Sequence, residues 1–475
     1  MEGERVGKIK LGRRLLALPL VGAAALAIGM TATTAASGAA SPIKVAVLSD
    51  CKGAFGVFDG QDLGGVVTAF AQLTGAKPKD KADPRKGMTG GTIAGHPIKL
   101  VGIGCSDDRA DTAIKETKRL MEKLKADVMI GPLSGDESIA VAKYAKAHPT
   151  KTFVNGSAGA LDTTMIVRAP NFFRFTGDGA QWNAGLGSIA YNKLKWKKAA
   201  VIMDDYSFGW TSGAGFIAEF CGVGGDVVKR VFPPLNTTDY SSFAAQLPAP
   251  DQVDGYFWAV GGAGTLPSLQ AFEQKYGPIK NSSQFMGNLF WGTPGTFQEL
   301  GTRLSGSYVG GAGTAGDLKT PLAIAYANTV GKYFTAFPPL KGDAKSQASS
   351  TFTAGFYVNT VGLIQALKAV KGDLSGGQKK LQATLSKTVI KGPYGTIHLD
   401  KNRQGIIDAY SLQLYTGTDG KLAIKTTNVV KGVTQDFGGS FSPSLPPPGE
   451  TTPTCAKRTI PWANSVKNVV DGVVQ

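Results

Sequence analysis

Residues 126–148, ADVMIGPLSGDESIAVAKYAKAH, contain a short apolar strand, a break and a helix in direct succession. The apolar residues 128–130 end at Gly131 and Pro132, and residues 134–138 then open the helix. Strand, turn and helix in this order are the repeating unit of a parallel sheet with crossover helices. Ser134 suits an ordinary helix N-cap, but it also suits an anion site, because the backbone N–H groups of a helix N-terminus are free.

The same unit recurs on both sides of this stretch. Apolar runs that predict buried strands are IKVAVL (43–48), HPIKLVGI (96–103), TKTFVNG (150–156), KKAAVIM (197–203), DGYFWAV (254–260) and SQFMGN (283–288). Stretches with helical periodicity separate them, as in residues 111–125. This pattern predicts an α/β fold with two similar halves, in which ligands bind beyond the carboxyl ends of the strands.

Helices and a β section follow the two halves. The sequence predicts helices over residues 320–337, 350–370 and 376–386, and strands within residues 392–416. Residues 442–458, SPSLPPPGETTPTCAKR, form a tail rich in Pro and Thr that predicts irregular structure.

The N-terminus has the pattern of a secretory signal peptide over residues 1–40. A basic segment precedes the apolar run LLALPLVGAAALAIGM, and small residues follow it, which predicts cleavage between Ala36 and Ala40. Arg13 and Arg14 leave Sec and Tat export both open. We therefore expect a protein that is exported across the cytoplasmic membrane and is periplasmic or associated with the cell envelope.

The distribution of charge along the chain disfavours nucleic acid as a partner. Of the 51 basic and 35 acidic residues, the predicted signal peptide holds five and two, so 46 and 33 remain and the formal net charge is +13. These basic residues are scattered, without the basic blocks that nucleic-acid binding favours. Attraction to an anionic cell envelope is the expected consequence of the excess.

Four cysteines in an exported chain predict two disulfides. Cys51 and Cys105 each follow a predicted strand, and if those strands are neighbours the two residues lie close enough to pair. Cys221 would then pair with Cys455, although the sequence alone permits all three pairings.

Catalytic chemistry finds little support in the sequence. His96, His148 and His398 each stand without a partner at metal or triad spacing, and the loop GGAGTL ends in Pro267 where a dinucleotide fingerprint needs glycine. No cofactor, metal or catalytic residue is expected, and the protein is not expected to be an enzyme. Aromatic residues instead gather near predicted strand ends, as in an apolar-walled pocket for a small molecule: Phe55, Phe58, Phe208, Trp210, Trp258, Phe290 and Trp291.

Several of these stretches resemble the type I periplasmic solute-binding proteins of ABC transporters, in particular the leucine/isoleucine/valine-binding (branched-chain amino acid) family. The resemblance rests on residues 41–65, on 126–138 and 152–164 as first-lobe turns, on 199–216 as the start of the second lobe, and on TTDYSS and GPYGTIHLD. It implies two doubly wound parallel-sheet lobes with a ligand cleft between them and a three-segment hinge. The implied lobes are 43–175 with 311–390, and 176–310 with 391–475, the second lobe including the tail.

The resemblance also implies a set of ligand-binding residues. Ser134 and the turn NGSAG, with Ser157 and Gly159, would hold a carboxylate, while relatives often have a hydroxyl at the place of Gly159. Amino-acid binders use an acidic residue shortly after the strand QFMGN, where this chain has residues 288–291, NLFW. Asp204 or Asp205 could substitute for it. The full candidate set is Phe58, Ser134, Gly135, Asn155, Ser157, Gly159, Phe208, Trp258, Gly261, Asn288 and Phe290.

The implied function is capture of a small carboxylate-bearing or amino-acid-like solute by hinge closure and its delivery to an ABC import permease. The expected protein is a monomer with no nucleic-acid partner. The alternative is a ligand-sensing receptor module of the same fold that acts on a signalling partner.

Overall fold

The computed structural model describes residues 40–293, 296–311, 313–334 and 350–475. Residues 1–39 of the predicted signal peptide lie outside the described residues. None of the described helices combines the length and the apolarity that crossing a membrane requires.

The described strands follow the predicted apolar runs closely and extend beyond them at the C-terminus. They are β1 (Ile43–Asp50), β2 (Lys77–Pro78), β3 (Met88–Thr89), β4 (Thr92–Ile93), β5 (His96–Ser106), β6 (Val128–Ile130), β7 (Thr152–Val154), β8 (Phe172–Phe173), β9 (Lys198–Met203), β10 (Asp226–Val231), β11 (Gly255–Ala259), β12 (Phe285–Gly287), β13 (Tyr308–Gly311), β14 (Ile390–Gly392), β15 (Gly395–Leu399), β16 (Gly405–Thr416), β17 (Leu422–Val433), β18 (Lys467–Val470) and β19 (Val473–Val474).

The α-helices lie mostly between consecutive strands, as crossover connections require. They are α1 (Asp59–Thr74), α2 (Ala110–Lys118), α3 (Gly135–Ala147), α4 (Asp162–Met165), α5 (Leu186–Ser188), α6 (Ser207–Gly222), α7 (Ser241–Ala244), α8 (Thr265–Tyr276), α9 (Thr296–Leu300), α10 (Pro321–Tyr333), α11 (Thr351–Ala369) and α12 (Lys379–Leu385).

The first sheet has the strand order β4-β5-β1-β6-β7-β8, and its strands are parallel except for β4. Strands β1, β6, β7 and β8 are mostly apolar and buried on both faces, as parallel strands covered by helices must be. The carboxyl ends of β1, β6 and β7 therefore lie side by side at one edge of the sheet.

The second sheet has the order β10-β9-β11-β12-β13-β16-β17-β18-β19. Strands β10 to β13 are parallel, as the apolar runs predict, but the four strands from β16 onward are antiparallel. Strand β17 lies outside the predicted strands, because the polar run KTTN at 425–428 interrupts its apolar residues. It pairs along almost its whole length with β16.

The chain passes between the two sheets three times, after β8, after β13 and after α12. Helices α10 to α12, which follow the second of these passages, return to the first sheet, where α11 packs directly on α1. A Cβ on Gly65 would lie 2.2 Å from the carbonyl oxygen of Thr353, so this contact requires glycine. The two lobes with the residue boundaries given above stay a prediction.

Residues 434–466, which include the predicted irregular tail, contain no helix or strand. They still pack onto the second half of the chain, because Phe437, Phe441, Ile460 and Trp462 join one apolar cluster with α6. The disulfide Cys221–Cys455 fixes this segment to the end of α6, and Cys51–Cys105 joins the ends of β1 and β5, with Cα–Cα distances of 5.2 Å and 5.1 Å. The two predicted disulfides are confirmed.

Candidate ligand-binding site

The loops after the parallel strands of the two sheets meet one another. The amide of Ala263, after β11, donates to the carbonyl oxygen of Ala54, after β1, at 3.1 Å. The amide of Ser207, at the start of α6, donates to Asp136 Oδ1 of α3 at 3.3 Å. These contacts bring the carboxyl edges of both sheets together around one space.

That space is a cavity of about 10 Å³, which has room for roughly one water molecule, so a larger solute fits only when the two edges separate. Most of its lining is apolar or aromatic, and no Asp, Glu, Lys, Arg or His is among the lining residues in the described part of the chain. The lining residues are Phe55, Leu133, Ser157, Gly159, Trp182, Tyr206, Phe208, Leu289, Phe290, Thr351 and Phe352.

Aromatic rings from both sheets form the walls. Phe290, after β12, stacks on Phe55, after β1, with ring centroids 5.5 Å apart and planes 11° apart. Phe208 meets Phe290 edge to face at 5.7 Å, and Phe58 stacks on Phe352 at 4.0 Å. Offset stacking and edge-to-face contact are the favourable arrangements of such rings. Rings of this kind offer planar apolar surfaces to a ligand.

Ser134 occupies the N-cap position of α3, yet its hydroxyl makes no capping hydrogen bond. The side chain is 1% exposed, and its Oγ has no hydrogen-bond partner among the described residues. A buried unpartnered hydroxyl costs free energy, so ordinary capping does not explain this serine. A ligand acceptor at the same edge would satisfy it.

Two further buried hydroxyls near the cavity lack partners within the described residues. Ser157 lines the cavity after β7, and Ser207 begins α6 on the opposite side. A Cβ on Gly135 would lie 2.5 Å from Ser207 Oγ, which shows how closely the starts of α3 and α6 approach each other. These hydroxyls offer donors from both sheets to one ligand.

Three long helices begin at the cavity. The first turns or preceding residues of α3, α6 and α11 supply Leu133, Phe208 and Thr351 to its lining. The N-terminus of a helix carries a partial positive charge and favours anions. Although the lining holds no basic side chain, the site is therefore suited to a negatively charged group.

The structure brings many of the predicted site residues together. Ser157, Gly159, Phe208 and Phe290 line the cavity, and Phe58 stacks with three of its lining rings. Gly261 lies beneath the ring of Phe290, because a Cβ there would be 1.9 Å from that ring.

Three other predicted residues have structural partners. The Asn155 side chain donates to the carbonyl oxygen of Ala158 at 3.0 Å, and Asn288 Oδ1 accepts from the amide of Phe290 at 3.2 Å, so each asparagine shapes its own turn. Trp258 lies in the apolar core of the second sheet, where its indole donates to Ser268 Oγ at 2.9 Å. The structure does not place Trp258 among the residues lining the cavity.

Several lining residues were missed by the sequence analysis. Leu133, Tyr206 and Leu289 follow strands, so their position could have indicated them. Trp182 lies on a crossover and Phe352 at the start of α11, far from any strand end. Nothing local in the sequence marks these two residues as part of the site.

The suggested counter-charges Asp204 and Asp205 are engaged elsewhere. Asp204 Oδ2 accepts from the amide of Gly261 at 2.9 Å, and burial raises the pKa of this carboxyl well above its usual range. Asp205 Oδ1 accepts from the indole of Trp210 at 3.0 Å. Neither carboxyl is among the lining residues.

A buried acidic cluster lies behind the first-sheet side of the site. Ser106 Oγ is 2.6 Å from Asp50 Oδ1 and 3.0 Å from Glu137 Oε2. A hydroxyl carries only one proton, so it cannot donate to both carboxyls, and one of these carboxyls must supply a proton itself. Burial raises the pKa of both carboxyls, and for Glu137 the negative charge of Asp50 raises it further.

Asp108 connects this acidic cluster to the cavity wall. Its Oδ2 accepts from the amide of Phe55 at 3.4 Å, and burial followed by the charge of Asp50 raises its pKa to about 8. The described residues contain no group of three or more His, Cys, Asp or Glu side chains arranged to hold a metal ion.

Comparison with known proteins identifies the fold and the family of the chain. Residues 42–421 match the family described as periplasmic binding protein. No curated protein matches the sequence.

Solved structures of similar fold include an ABC transporter substrate-binding protein from Sphaerobacter thermophilus, with a TM-score of 0.69 and 21% identity over 82% of this chain and 98% of that one. A solute-binding protein of an ABC transporter from Rhodopseudomonas palustris, in complex with 3,4-dihydroxybenzoic acid, has a TM-score of 0.67 and 19% identity over 83% and 98%. The leucine-binding protein LivK from Thermotoga maritima has a TM-score of 0.64 and 19% identity over 82% and 99%.

Proposed function

This chain belongs to the periplasmic binding protein family, and from that premise we propose that it captures a small carboxylate-bearing solute and delivers it to an ABC import permease. The observation that carries the proposal is the cavity between the two strand edges, which combines aromatic walls with unpartnered buried hydroxyls. Apolar walls with a few placed polar groups are the usual form of a small-molecule site.

The polar groups favour a carboxylate as the ligand's head. Ser134 and Ser157 lie after neighbouring parallel strands, and α3 directs its N-terminus to the same edge. Hydrogen bonds from such donors to a charged acceptor contribute about 1.5–3 kcal/mol each. A carboxylate would satisfy hydroxyls that have no partner among the described residues.

The walls favour an aromatic acid over a free amino acid. The ammonium group of an amino acid needs an acidic partner when it is buried, and among the described residues no Asp or Glu lines the cavity. A benzoate-like acid needs no such partner, and its ring can lie against the walls that Phe55 and Phe290 form. The Rhodopseudomonas protein solved with 3,4-dihydroxybenzoic acid supports this choice. Because the leucine-binding protein from Thermotoga has the same fold, leucine is included in the titration described below.

Capture follows from closure of the site. The contacts Ala263–Ala54 and Ser207–Asp136 span the space between the two edges and would separate when a solute enters. We propose that the three segments passing between the sheets act as the hinge for this movement. The binding role requires no catalytic step, and we propose none.

The proposal includes the cellular setting. We propose that residues 1–40 direct export, that cleavage near residues 36–40 releases the protein, and that it acts as a monomer in the periplasm or at the cell envelope. The positive charge that remains after cleavage would attract it to an anionic envelope surface.

Calorimetric titration with matched solutes tests the ligand class. We expect benzoate and 4-hydroxybenzoate to bind, benzamide to bind at least about tenfold more weakly because it lacks the charge, and leucine to bind more weakly than benzoate. Binding of leucine alone would reverse the choice of aromatic acid. Binding of no carboxylate at all would overturn the proposed function.

A transport assay separates import from sensing. Deletion of the gene should abolish uptake of the radiolabelled solute that binds, and the wild-type gene should restore it. Unchanged uptake together with a lost transcriptional response to the solute would favour the sensing alternative.

A further inference from the structure

Trp182 reaches the cavity from an unusual place. It lies in the 3-10 turn Gln181–Asn183, in the first segment that passes between the two sheets, and not after a strand. The side chain is 2% exposed and lines the cavity.

Two glycines on opposite sides of the indole make room for it. A Cβ on Gly159 would lie 2.6 Å from Cζ3 of Trp182, and a Cβ on Gly177 would lie 2.9 Å from its Nε1. Real Cβ atoms do not approach other atoms this closely. The ring therefore depends on the absence of both side chains.

The same Gly159 also makes room for Phe208. Its Cβ would lie 2.8 Å from Cδ2 of that ring, and the rings of Trp182 and Phe208 are 6.0 Å apart at 52°. A larger residue at 159 would displace both rings from one wall of the cavity.

The turn that carries Trp182 is firmly held. Gln181 Nε2 donates to the carbonyl oxygens of Gly405 and Val433 at 2.9 Å and 2.8 Å, and Asn183 Nδ2 donates to Ser212 Oγ at 2.9 Å. These partners belong to the second sheet and α6. The turn that carries the indole is thus held in place by the rest of the fold, which lowers the cost of ordering a wall around the ligand.

We infer that Trp182, seated between Gly159 and Gly177, is a specificity-determining residue that selects planar aromatic carboxylates over branched aliphatic ones. The inference rests on the proposed function and extends it to a residue outside the strand-end loops. A flat, immobile ring favours a ligand that can stack or meet it edge to face, whereas a branched aliphatic chain gains only burial.

Calorimetric titration with benzoate and with 3-methylbutanoate tests the inference, because both carry one carboxylate. We expect the wild type to prefer benzoate, and Trp182→Leu to weaken benzoate binding about fivefold while 3-methylbutanoate changes less than about twofold. Gly159→Ala should lower the same preference by displacing the ring. Trp182→Phe, which keeps a planar ring, should retain most of the preference.

Gly225→Ala is the matched control, because a Cβ there would lie 2.5 Å from the ring of Phe220, which is not a lining residue of the cavity. It should lower the melting temperature and leave the ratio of the two affinities unchanged. An unchanged ratio in folded Trp182→Leu, or a ratio in folded Trp182→Phe that falls as far as in Trp182→Leu, would overturn the inference while the proposed function stands. A wild type that binds neither acid would overturn both.

Discussion

The carboxyl edges of the two sheets have the same topology but differ in chemistry. The first-sheet edge adds polar groups to the ring of Phe55: the hydroxyl of Ser157 lines the cavity, that of Ser134 follows the lining residue Leu133, and the carboxyls of Asp50 and Glu137 lie behind them. The second-sheet edge is largely aromatic and presents Tyr206, Phe208 and Phe290. The shared topology predicts where a ligand binds. The residues at each edge predict which end of the ligand that edge contacts.

The largest expected effect concerns the acidic cluster behind the first edge. Carboxyls whose pKa is raised on folding hold protons that the unfolded chain has lost, so the free energy of unfolding falls as pH rises from about 4 to the folded pKa. For Asp108 that pKa is about 8. Each such group lowers the free energy of unfolding by at most about 1.4 kcal/mol per pH unit. The whole cluster should therefore lower it by several kcal/mol between about pH 4.5 and 8.

Denaturant unfolding at several pH values measures this loss. Asp108→Asn should make the loss smaller. Asp239→Asn should not, because Asp239 is exposed and hydrogen bonds from Ser241 lower its pKa. A free energy of unfolding that rises across this range would contradict the protonated cluster.

One of the two disulfides lies at the first-sheet edge, and the other lies away from the cavity, so their removal allows the two regions to be compared. Cys51–Cys105 holds the loop that carries Phe55, whereas Cys221–Cys455 joins the end of α6 to the C-terminal segment. Replacing either pair with serine should cost about 2–4 kcal/mol of unfolding free energy. Only loss of Cys51–Cys105 should also weaken ligand binding, because only it anchors a wall of the cavity.

Urea unfolding and titration of both double variants measure these effects. Equal loss of affinity in both variants would show that the first edge has no special dependence on its own disulfide.

Ser134→Ala distinguishes a ligand contact from a cap. We expect ligand affinity to fall at least tenfold, which corresponds to about 1.4 kcal/mol, with little loss of stability. The matched control is Thr320→Ala in α10, where Thr320 Oγ1 accepts from the amide of Ala323 at 3.2 Å. That variant should lose about 1 kcal/mol of stability and keep its affinity.

Calorimetric titration and thermal unfolding of the two variants decide the role. Unchanged affinity with a lowered melting temperature in Ser134→Ala would show that this serine acts as a helix N-cap and not as a ligand contact.

The smallest expected effect concerns Asp136, which joins the two edges. Its carboxylate lies in the first turn of α3 and accepts from the amide of Ser207 at the start of α6. Asp136→Asn removes a negative charge from two helix N-termini and should cost about 0.3–1 kcal/mol of stability. Thermal unfolding measures the cost, and an increase in stability would contradict the favourable placement of this charge.

Much of the fold follows from local sequence signals. Apolar runs such as IKVAVL and the break at Gly131 and Pro132 predict the strands and their ends, because buried parallel strands must be apolar and must stop at residues that cannot continue them. The apolar pattern does not predict β17, because the strand carries polar residues on both faces, and only its place between β16 and β18 explains why Thr426 and Asn428 are buried. The disulfide Cys51–Cys105 was correctly predicted because the strand ends that it joins are neighbours in the sheet, and Cys221–Cys455 followed by elimination.

The candidate site was only partly predictable. Position after a strand indicated Ser157, Phe208 and Phe290, since the carboxyl ends of parallel strands meet at one edge. The same argument also selected Trp258, whose indole lies in the core of the second sheet. Position along the strand did not decide which face each side chain would occupy.

By itself, the sequence determined the order of the parallel strands and of the helices between them, because these depend on local propensity and on periodic burial, and it predicted the sheet edge at which we propose that a ligand binds. The tertiary structure alone decided that Trp182 and Phe352 complete the cavity, that the hydroxyl of Ser134 has no cap partner, and that Ser106 lies between two carboxyls. Apart from the missing cap of Ser134, each of these features is a contact between residues distant in sequence. Such contacts depend on how whole elements pack, and no pattern within one element encodes them.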